Sequence, residues 1–389
     1  LSIIGQVSKL DILRNQQNIL YLSSSLCFGT KERMILRDAK ILKDVGHNVF
    51  IFCLKNSLLD LKAKSYGFDC IYHKAGTHLK FIKWYKLSIL KETIERLDIN
   101  VVHCYDLNFV WPTSYFLRRN PRVALFFTAS EQVLKNYREY WFKSLMSRVD
   151  LVYIPVKEMV DSVSDHLVVP ERKIYFSGLG LDETSIKSKA NNLDENVWNL
   201  GIFVNEDQTE LDDIKTCLNS IWSINIKRSL SKSCHLHLYT SKKWSENVLR
   251  SEIEAIADEF KLRSFLHFHD DIQVSDISAD VWMSYATPLP LEDYTITALL
   301  KGIPIIANRN AATEELLTSY GKAVSTYMTN DSRELRDKIE SVILNFDGAT
   351  SEAKSIKEPV LNEHGLNFYR EKLLKNYEIQ LNKRQRFFG

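Results

Sequence analysis

The sequence predicts an α/β protein built from two doubly wound parallel-sheet domains, and two observations carry that prediction. Short, continuous apolar runs alternate with longer amphipathic segments along most of the chain. Such runs are typical of strands that are buried on both faces and joined by helical crossovers. A polar stretch with two glycines at 177–199 interrupts the alternation and divides the 389 residues into two parts of domain size.

The part of the chain before residue 177 consists of repeated strand and helix signals. Its first unit is a strand at 18–23, a loop, and a helix at 33–45 followed by Gly46 at the position of a C-cap glycine. The later apolar runs predict strands, and the amphipathic segments between them predict helices. The remaining strands are expected at 49–54, 101–104, 123–128, 151–155 and 174–177, and the remaining helices at 81–97, 109–119, 132–148 and 157–167.

The part after residue 199 repeats this alternation. Its most informative junction is Gly302-Ile303-Pro304, where the glycine suits a left-handed helix C-terminus and the proline prevents the helix from continuing. A buried parallel strand is expected at 303–307, directly after the helix end. The other strands are expected at 200–204, 236–240, 265–269 and 281–284, and the other helices at 210–224, 246–260, 313–320 and 333–346.

The last predicted element is a long amphipathic helix at 366–383 that no strand follows. Since this helix has no sheet partner of its own, we expect it to return to the first domain. The predicted organisation is an N-terminal Rossmann-like domain, an interdomain linker, a C-terminal Rossmann-like domain and the returning helix. These segments correspond to residues 1–176, 177–199, 200–360 and 361–389.

Composition excludes several classes of protein. A formal net charge of +2 argues against a dedicated nucleic-acid-binding protein, which normally has a strongly basic face. The six cysteines form no CxxC pair, and they favour buried, reduced thiols over a disulfide framework. No apolar run reaches the roughly 18 residues of a membrane span, and the start of the sequence lacks a signal-peptide pattern. We therefore expect a cytoplasmic protein, with peripheral contact to the inner face of the membrane left open.

Ligands of parallel α/β sheets bind outside the carboxyl ends of the strands. Two such domains are expected to face a cleft, which is the default ligand site. In the first domain, Gly29 and Thr30 lie in the loop after the first strand, and glycine there allows a ligand to approach the backbone. His103 and Asp106 lie at the end of another strand, where ligand contact and a structural role are both open.

Four segments in a fixed order span nearly the whole chain. They contain a strand, glycine loop, helix and Gly-His pair, then a strand ending in His and Asp, a strand with a Gly-x-Asp turn, and a Gly-x-Pro junction. Their sequences are NILYLSSSLCFGTKERMILRDAKILKDVGHNVFIFC at 18–53, VVHCYD at 101–106, ERKIYFSGLGLD at 171–182 and ALLKGIP at 298–304. In this order and spacing they resemble the retaining, nucleotide-sugar-dependent glycosyltransferases of the GT-B fold, the large group often called family four.

The resemblance implies two Rossmann-like domains facing a cleft, with the donor bound mainly by the second domain and the acceptor by the first. It implies a hexosyltransferase-type enzyme that moves a sugar from a nucleotide-sugar donor to a polysaccharide, lipid-linked or other glycoconjugate acceptor, with retention. The implied mechanism uses no metal and no cofactor, and the nucleotide sugar is a substrate. Nucleic acid is not an expected partner.

In the family, two glutamates eight positions apart flank the donor loop. Counted without gaps from Gly302, these positions hold Leu289 and Thr297 in this chain. If three residues are deleted, Glu292 matches the first glutamate instead. The resemblance therefore makes Glu292 the candidate catalytic contact to the donor sugar.

Tyr294 and Thr295 then follow the family's aromatic-glycine pattern, with threonine in place of glycine. Together with Thr297 they are the candidate donor-binding residues at the start of this helix, where backbone N–H groups suit a diphosphate. The residues themselves also allow a structural alternative, in which Glu292 or Asp293 caps the helix N-terminus.

The family's Arg and Lys pair, which neutralises the donor diphosphate, follows the first strand of the second domain. The corresponding stretch here, LGIFVNEDQTELDD at 200–213, contains no basic residue. Charge compensation for a leaving diphosphate is a large part of such catalysis. The expected replacements from neighbouring loops are Lys242, Lys243 and Arg309, and the alternative for each is a solvated surface charge.

The family often has a histidine after the strand that here reads ALFFT. Ser130 occupies that place and Glu131 follows it. Ser130 and Glu131 are therefore candidate catalytic residues on the acceptor side, together with His103 and Asp106.

Two weaker signals have two interpretations each. His267 and His269 alternate on a predicted strand before two aspartates, which suits either a metal site or packing with a hydrogen bond, and no metal site is predicted. The segment KFIKWYKL at 80–87 interleaves basic and aromatic residues, which suits either an anionic membrane surface or an amphipathic helix on the domain surface.

Two other functions are compatible with the sequence. A catalytically degenerate GT-B protein, acting as a partner or scaffold subunit, is favoured by the missing basic pair and by threonine at position 297. A nucleotide-sugar epimerase would share the two-domain architecture, although no residue pattern favours it.

Overall fold

The computed structural model contains two compact units, each assembled from separate stretches of the chain. The first consists of Leu1–Pro155, Met159–Gly180 and Asn367–Gly389, and the second of Val156–Glu158 and Leu181–Leu366. The basic and aromatic segment at 80–87 lies outside the described residues. The structure describes residues 16–25, 28–73, 88–131, 133, 135–137, 140–183, 193–204, 211–240, 243–244, 249–270, 272, 274–284 and 293–388.

The first unit is built on a seven-stranded sheet whose described strands are all parallel. The strands are β1 Asn18–Leu22, β2 Asn48–Leu54, β3 Asp69–His73, β4 Val101–Cys104, β5 Ala124–Thr128, β6 Leu151–Ile154 and β7 Ile174–Phe176. Their order is β3-β2-β1-β4-β5-β6-β7, so the direction of winding reverses between β1 and β4. Ligands of such sheets bind at this switch point, outside the carboxyl ends of the strands.

Helices form the crossovers of the first unit. Every residue of β4 and β5 is buried, which explains why these strands appear in the sequence as continuous apolar runs. The helices between the strands are α1 Thr30–Asp44, α2 Leu58–Ser65, α3 Ser88–Arg96, α4 Leu107–Leu117, α5 Tyr140–Met146 and α6 Met159–Leu167.

The sequence patterns do not predict α2 and β3, and they extend α5 too far toward the N-terminus. β3 reads DCIYH and is an edge strand whose residues are mostly half-buried or exposed, so it lacks the apolar run of a central strand. The expected helix at 132–148 begins only at Tyr140, because Tyr137 N–H donates to the carbonyl of His166 and not to a helical turn.

The second unit is built on a six-stranded sheet, again parallel throughout its described strands, in the order β10-β9-β8-β11-β12-β13. Its switch point lies between β8 and β11. No described helix in either unit is both long and apolar enough to cross a membrane. The strands are β8 Trp198–Phe203, β9 Cys234–Tyr239, β10 Leu266–His269, β11 Val281–Ser284, β12 Ile305–Asn308 and β13 Val324–Tyr327, and the helices are α7 Leu211–Lys227, α8 Leu249–Glu259, α9 Asp293–Leu300, α10 Ala311–Tyr320, α11 Ser332–Leu344, α12 Phe346–Ser355 and α13 Lys357–His364.

The junction between α9 and β12 has the geometry predicted from Gly302 and Pro304. Gly302 is left-handed, with φ +74°. Its N–H donates to Leu299 O at 2.9 Å, and Ile303 N–H donates to Ala298 O at 2.9 Å. This pair of bonds is the Schellman motif, which satisfies the last carbonyls of a helix. The carbonyl of Pro304 then accepts a bond from β11, so the chain enters the sheet immediately after the helix ends.

The last helix, α14 Leu366–Phe388, belongs to the first unit from Asn367 onward. Its buried side chains recur at helical spacing, with Tyr369, Leu373, Tyr377 and Leu381 each at most 3% exposed. Near its end, the guanidinium of Arg384 donates to Asp150, which directly precedes β6, at 2.6 Å from Nη2 and 3.1 Å from Nε. Apolar packing and a partly buried ion pair therefore both hold α14 on the first unit.

Replacing Gly302 by valine should destabilise the second unit. The left-handed conformation costs an L-residue about 1–2 kcal/mol, and an added Cβ would lie 2.6 Å from Lys354 Cγ. We expect a lower melting temperature in thermal unfolding followed by tryptophan fluorescence. Gly302→Asn is the matched control. Because asparagine tolerates the left-handed conformation, the melting temperature of this variant should fall clearly less than that of the valine variant. Equal melting temperatures for the valine variant and the unmodified protein would contradict the role of this turn.

Candidate functional site

The loop after β1 is closed by a local cap at the start of α1. Gly29 is the N-cap residue, and its N–H donates to Glu32 Oε2 at 2.8 Å. Its carbonyl accepts the N–H of Arg33, and Thr30 is buried directly after it. The two residues expected to approach a ligand therefore belong to a rigid helix start at the carboxyl end of β1, next to the switch point.

Lys31 brings together acidic side chains from three segments of the first unit. Its Nζ lies 2.7 Å from Asp106 Oδ1, 3.6 Å from Glu131 Oε1 and 3.9 Å from Glu32 Oε1. Lys31 is not among the site residues predicted from the sequence. Its only signal is its position, since a cation in the first turn of a helix is unfavourable with the helix dipole and needs nearby acids.

The electrostatics keep Lys31 and Asp106 charged at neutral pH. Burial lowers the pKa of Lys31, but the charges of Asp106, Glu32 and Glu131 outweigh burial and raise that pKa well above its ordinary value. Burial raises the pKa of Asp106, but the charge and hydrogen bond of Lys31 and the bonds from Ser24 bring it below its ordinary value. Lys31 and Asp106 therefore form an ion pair in which each stabilises the charged form of the other.

Asp106 joins the two strands that flank the switch point. It is the N-cap residue of α4, yet its side chain does not cap that helix. Instead, Asp106 Oδ2 accepts hydrogen bonds from the N–H of Ser24 at 2.6 Å and from Ser24 Oγ at 3.2 Å. The carboxylate thus connects the loop after β1 with the end of β4 and positions Lys31 between them.

Ser130 and Glu131 follow β5 at the same carboxyl edge. Ser130 is 6% exposed, whereas the side chain of Glu131 is 52% exposed and lies 3.6 Å from Lys31 Nζ. The structure therefore brings Glu131 and Asp106 together through Lys31. A carboxylate in this position can accept charge-assisted hydrogen bonds from hydroxyl groups, worth about 1.5–3 kcal/mol each.

His103 is not part of this cluster. Its side chain is fully buried, with Nδ1 2.7 Å from Tyr377 Oη and Nε2 2.7 Å from Thr128 Oγ1. Burial lowers its pKa to about 3, so the ring is neutral and both nitrogens are engaged inside the core. Of the two interpretations left open by the sequence, the structural one fits His103.

The predicted donor residues at α9 are buried where they are described. Glu292 lies outside the described residues, and α9 begins at Asp293, which is 2% exposed. Tyr294, Thr295 and Thr297 are each at most 1% exposed. Thr297, the position that the ungapped count assigns to a glutamate, is therefore packed inside the second unit.

The expected basic replacements are spread over different surroundings. Lys242 lies outside the described residues, and Lys243 is exposed. Arg309 follows β12, with Nη2 3.5 Å from Glu334 Oε1 and Nε 4.0 Å from Glu314 Oε1. Because two acids share its charge, Arg309 fits the surface-charge alternative better than a dedicated diphosphate contact.

The two histidines of β10 belong to a ladder of four with His235 and His237 of β9. His235 Nδ1 lies 2.9 Å from His267 Nε2, and His237 Nδ1 lies 2.9 Å from His269 Nε2. The rings are stacked, with interplanar angles of 14° and 15° in these two pairs. The paired nitrogens bond to each other, which favours packing with hydrogen bonds over a metal site.

Asn199 determines the tautomer at one end of this ladder. Its side-chain NH₂ faces acceptors, among them Asp280 Oδ2 at 3.0 Å, so its Oδ1 faces His237 Nε2 at 3.0 Å. His237 must then donate from Nε2 and accept at Nδ1 from His269. A proton added to His237 Nδ1 would point at the N–H of His269, so this arrangement requires His237 to be neutral.

A second group of potential metal ligands lies in the first unit. The Sγ atoms of Cys53 and Cys70 and a carboxylate oxygen of Asp60 lie within 4.8 Å of one another. Asp60 Oδ1, however, accepts from Tyr72 Oη at 3.2 Å and lies 3.1 Å from Lys64 Nζ. An ammonium group at that distance disfavours a metal cation, so the group fits a structural cluster. All five described cysteines are free.

Comparison with known proteins identifies the fold. No family model and no curated protein matches the chain. A glycosyltransferase structure from Rickettsia africae aligns with 95% of this chain and 99% of its own, at TM-score 0.75 and 14% identity. The structure of HepE from Anabaena in complex with UDP-glucose aligns with 94% of this chain and 100% of its own, at TM-score 0.73 and 11% identity. Sucrose-phosphate synthase from Thermosynechococcus elongatus aligns over 95% and 100%, at TM-score 0.73 and 15% identity.

The chain has the GT-B fold. The predicted α/β class is confirmed by two parallel sheets, of seven and six strands, each wound with helices. At these identities the likeness establishes the GT-B fold alone, and the roles of individual residues rest on the geometry described above.

The histidine ladder predicts that the second unit loses stability in acid. Burial and the neighbouring imidazoles lower the pKa of His237 to about 3 from an ordinary value of 6.5. Burial lowers the pKa of His235, His267 and His269 as well. The negative charge of Asp194 partly offsets this effect at His235 and His267, and that of Asp270 does so at His269.

Since the folded pKa lies below the unfolded one, the ladder's contribution is complete above about pH 6.5 and decreases as the pH falls toward 3. We expect the melting temperature to fall steadily from about pH 7 to about pH 4. His237→Gln should flatten this profile, whereas His166→Gln, a half-buried histidine of α6, should leave it unchanged. Identical profiles for the unmodified protein and His237→Gln would contradict the assignment.

Proposed function

We propose that this chain is a hexosyltransferase-type glycosyltransferase that moves a sugar from a nucleotide-sugar donor to a polysaccharide, lipid-linked or other glycoconjugate acceptor, with retention. The observation that carries the proposal is the cluster of Lys31, Asp106 and Glu131 at the switch point of the first unit of a GT-B fold. The place of action that we propose is the cytoplasm, including the inner face of the membrane.

The acceptor is assigned to the first unit because its carboxyl edge presents groups that recognise hydroxyls. Glu131 is the exposed carboxylate that accepts a hydrogen bond from an acceptor hydroxyl, with Ser130 beside it. Lys31 lies within ion-pair distance of the carboxylates of Asp106 and Glu131, and it positions both of them. Gly29 and Thr30 form the helix start that borders this surface.

The nucleotide-sugar donor is assigned to the second unit. Tyr294, in the first turn of α9, stacks on Phe203 at the end of β8 with ring centroids 3.9 Å apart. This contact holds the amino end of α9 beside the switch point, where helix N-terminal N–H groups suit a diphosphate. Glu292, directly before α9, is assigned the contact to the transferred sugar, and UDP is the first nucleotide to test because HepE was solved with UDP-glucose.

The alternative is a degenerate GT-B protein that serves as a partner or scaffold subunit. It is favoured by Thr297, which is 1% exposed where the ungapped count places a catalytic glutamate. It is also favoured by Arg309, whose charge is shared with Glu314 and Glu334. In that case Glu292 or Asp293 stabilises the helix start instead of contacting a sugar.

Removing the basic side chains proposed to replace the family's Arg and Lys pair should weaken binding of UDP. Lys242→Ala and Lys243→Ala are each expected to cost about 1–3 kcal/mol in titration calorimetry, the scale of a charge-assisted hydrogen bond. Arg309→Ala should cost less, because two acids already share its charge. Lys215→Ala, an exposed lysine of α7, is the control. If the unmodified protein binds UDP and all of these variants bind it equally, the assignment of these residues is wrong.

Glu292→Gln separates the enzyme from the degenerate protein. As a catalytic contact, Glu292 should be needed for turnover with nucleotide-sugar donors, while the melting temperature stays nearly unchanged. As a cap, it should contribute about 0.5–2 kcal/mol of stability and no turnover. Glu259→Gln, which removes an exposed acid at the end of α8, is the control for general effects of charge. A clear drop in melting temperature, in a protein that transfers sugar from no donor, would reject the enzyme.

A further inference from the structure

A cavity of about 450 Å³ lies at the amino edge of the first sheet, the edge opposite the strand ends that carry Asp106 and Glu131. It is formed by residues directly before β6 and β7 and by the last turns of α14. The lining side chains that bear on its chemistry are Asp150, Arg172, Lys173, Gln380, Lys383 and Arg384.

The charges around this cavity do not balance. Arg172, Lys173, Lys383 and Arg384 contribute four cations, and Asp150 contributes one carboxylate. That carboxylate already has partners. It accepts a hydrogen bond from the guanidinium of Arg384 at 2.6 Å and another from the backbone N–H of Leu125 at 2.9 Å. The other three cations, Arg172, Lys173 and Lys383, therefore have no carboxylate of their own among the side chains that line the cavity.

Two of the cations are available to a ligand. Arg172 and Lys383 are exposed, and neither side chain forms a hydrogen bond or ion pair within the described part of the chain. Lys173 is held in place, since its Nζ donates to Ser147 O at 2.9 Å and to Val149 O at 2.6 Å. Two carbonyl partners leave the third N–H of this ammonium for another acceptor.

The titration of Lys173 agrees with an excess of positive charge. Burial lowers the pKa of Lys173, and repulsion from Arg384, Lys383 and Arg172 lowers it further against the attraction of Asp150. Bringing a multivalent anion into this cavity would remove that repulsion.

We propose that this cavity binds a compact, multivalent phosphate anion, such as inorganic pyrophosphate or a soluble phosphomonoester. Arginine matches two phosphate oxygens with its planar fork, and lysine adds point charges. A concave space of this volume suits a small ligand that enters it, rather than a flat lipid surface. The site uses none of the residues assigned above to the donor or the acceptor.

The test is titration calorimetry of the full chain with inorganic pyrophosphate at low salt, with the double variant Arg172→Gln/Lys383→Gln. Both residues are exposed and unpaired, so the variant should keep the unmodified melting temperature. We expect saturable binding by the unmodified protein and a loss of affinity of about tenfold or more in the variant, since two charge-assisted contacts disappear. Lys40→Gln/Lys375→Gln, which removes two exposed lysines outside the cavity lining, should bind within about twofold of the unmodified protein.

Three results would overturn the proposal. The first is the absence of saturable binding by the unmodified protein, and the second is an equal loss in both double variants, which would mark a nonspecific effect of net charge. The third is a loss of pyrophosphate affinity in Lys243→Ala but not in Arg172→Gln/Lys383→Gln, which would place pyrophosphate at the nucleotide site.

Sedimentation with phosphatidylcholine vesicles containing phosphatidic acid distinguishes a lipid headgroup from a soluble phosphate. Cavity-dependent binding to vesicles without binding of pyrophosphate would assign the basic surface to a lipid headgroup and reject the soluble anion.

Discussion

A parallel sheet must be covered on both faces, because its strands are apolar on both sides. In the first unit, one face carries a row of rings from four neighbouring strands, namely Tyr21, His103, Phe126 and Tyr153. Tyr377 of α14 lies over this row, 4.6 Å from the ring centroid of Phe126. The last helix of the chain is therefore part of the core of the first unit, and Arg384 fastens its end to Asp150.

Burial determines the hydrogen bonding of Tyr21, His103 and Tyr377. The hydroxyl of Tyr377 lies 2.7 Å from His103 Nδ1 and 3.2 Å from the hydroxyl of Tyr21. A buried polar group without a partner would cost about 1–3 kcal/mol, so these groups satisfy one another and not a ligand. This explains why a histidine near the end of a strand, in a place that resembles a catalytic position, belongs to the core.

The two edges of the first sheet differ in how their charges are arranged. At the carboxyl edge, Lys31 is surrounded by Asp106, Glu131 and Glu32, so the acids exceed the cation and one carboxylate stays exposed. In the cavity at the amino edge, the lining cations exceed the one lining carboxylate, Asp150. The first arrangement suits neutral hydroxyl-bearing ligands and the second suits anions, because each of these two sites keeps an excess of one sign.

The amino-acid sequence by itself determined the class of fold and most of its elements. Continuous apolar runs specify buried parallel strands, and Gly302 and Pro304 specify the helix end before β12, because periodicity and backbone dihedral preferences are local properties. The edge strand β3 escaped prediction, since a half-buried strand has no strong apolar pattern.

Only the tertiary structure decided which side chains meet. Lys31 contacts Asp106 and Glu131, which lie far from it in the chain, because the strand order places β1, β4 and β5 side by side. The packing of α14 on the first sheet buries His103 under Tyr377, and the fold of the second unit places Arg309 beside Glu334. A strand pattern in the sequence predicts that a residue lies near a strand end. Its charge, exposure and hydrogen bonds depend on neighbours from distant segments, which only the fold brings together.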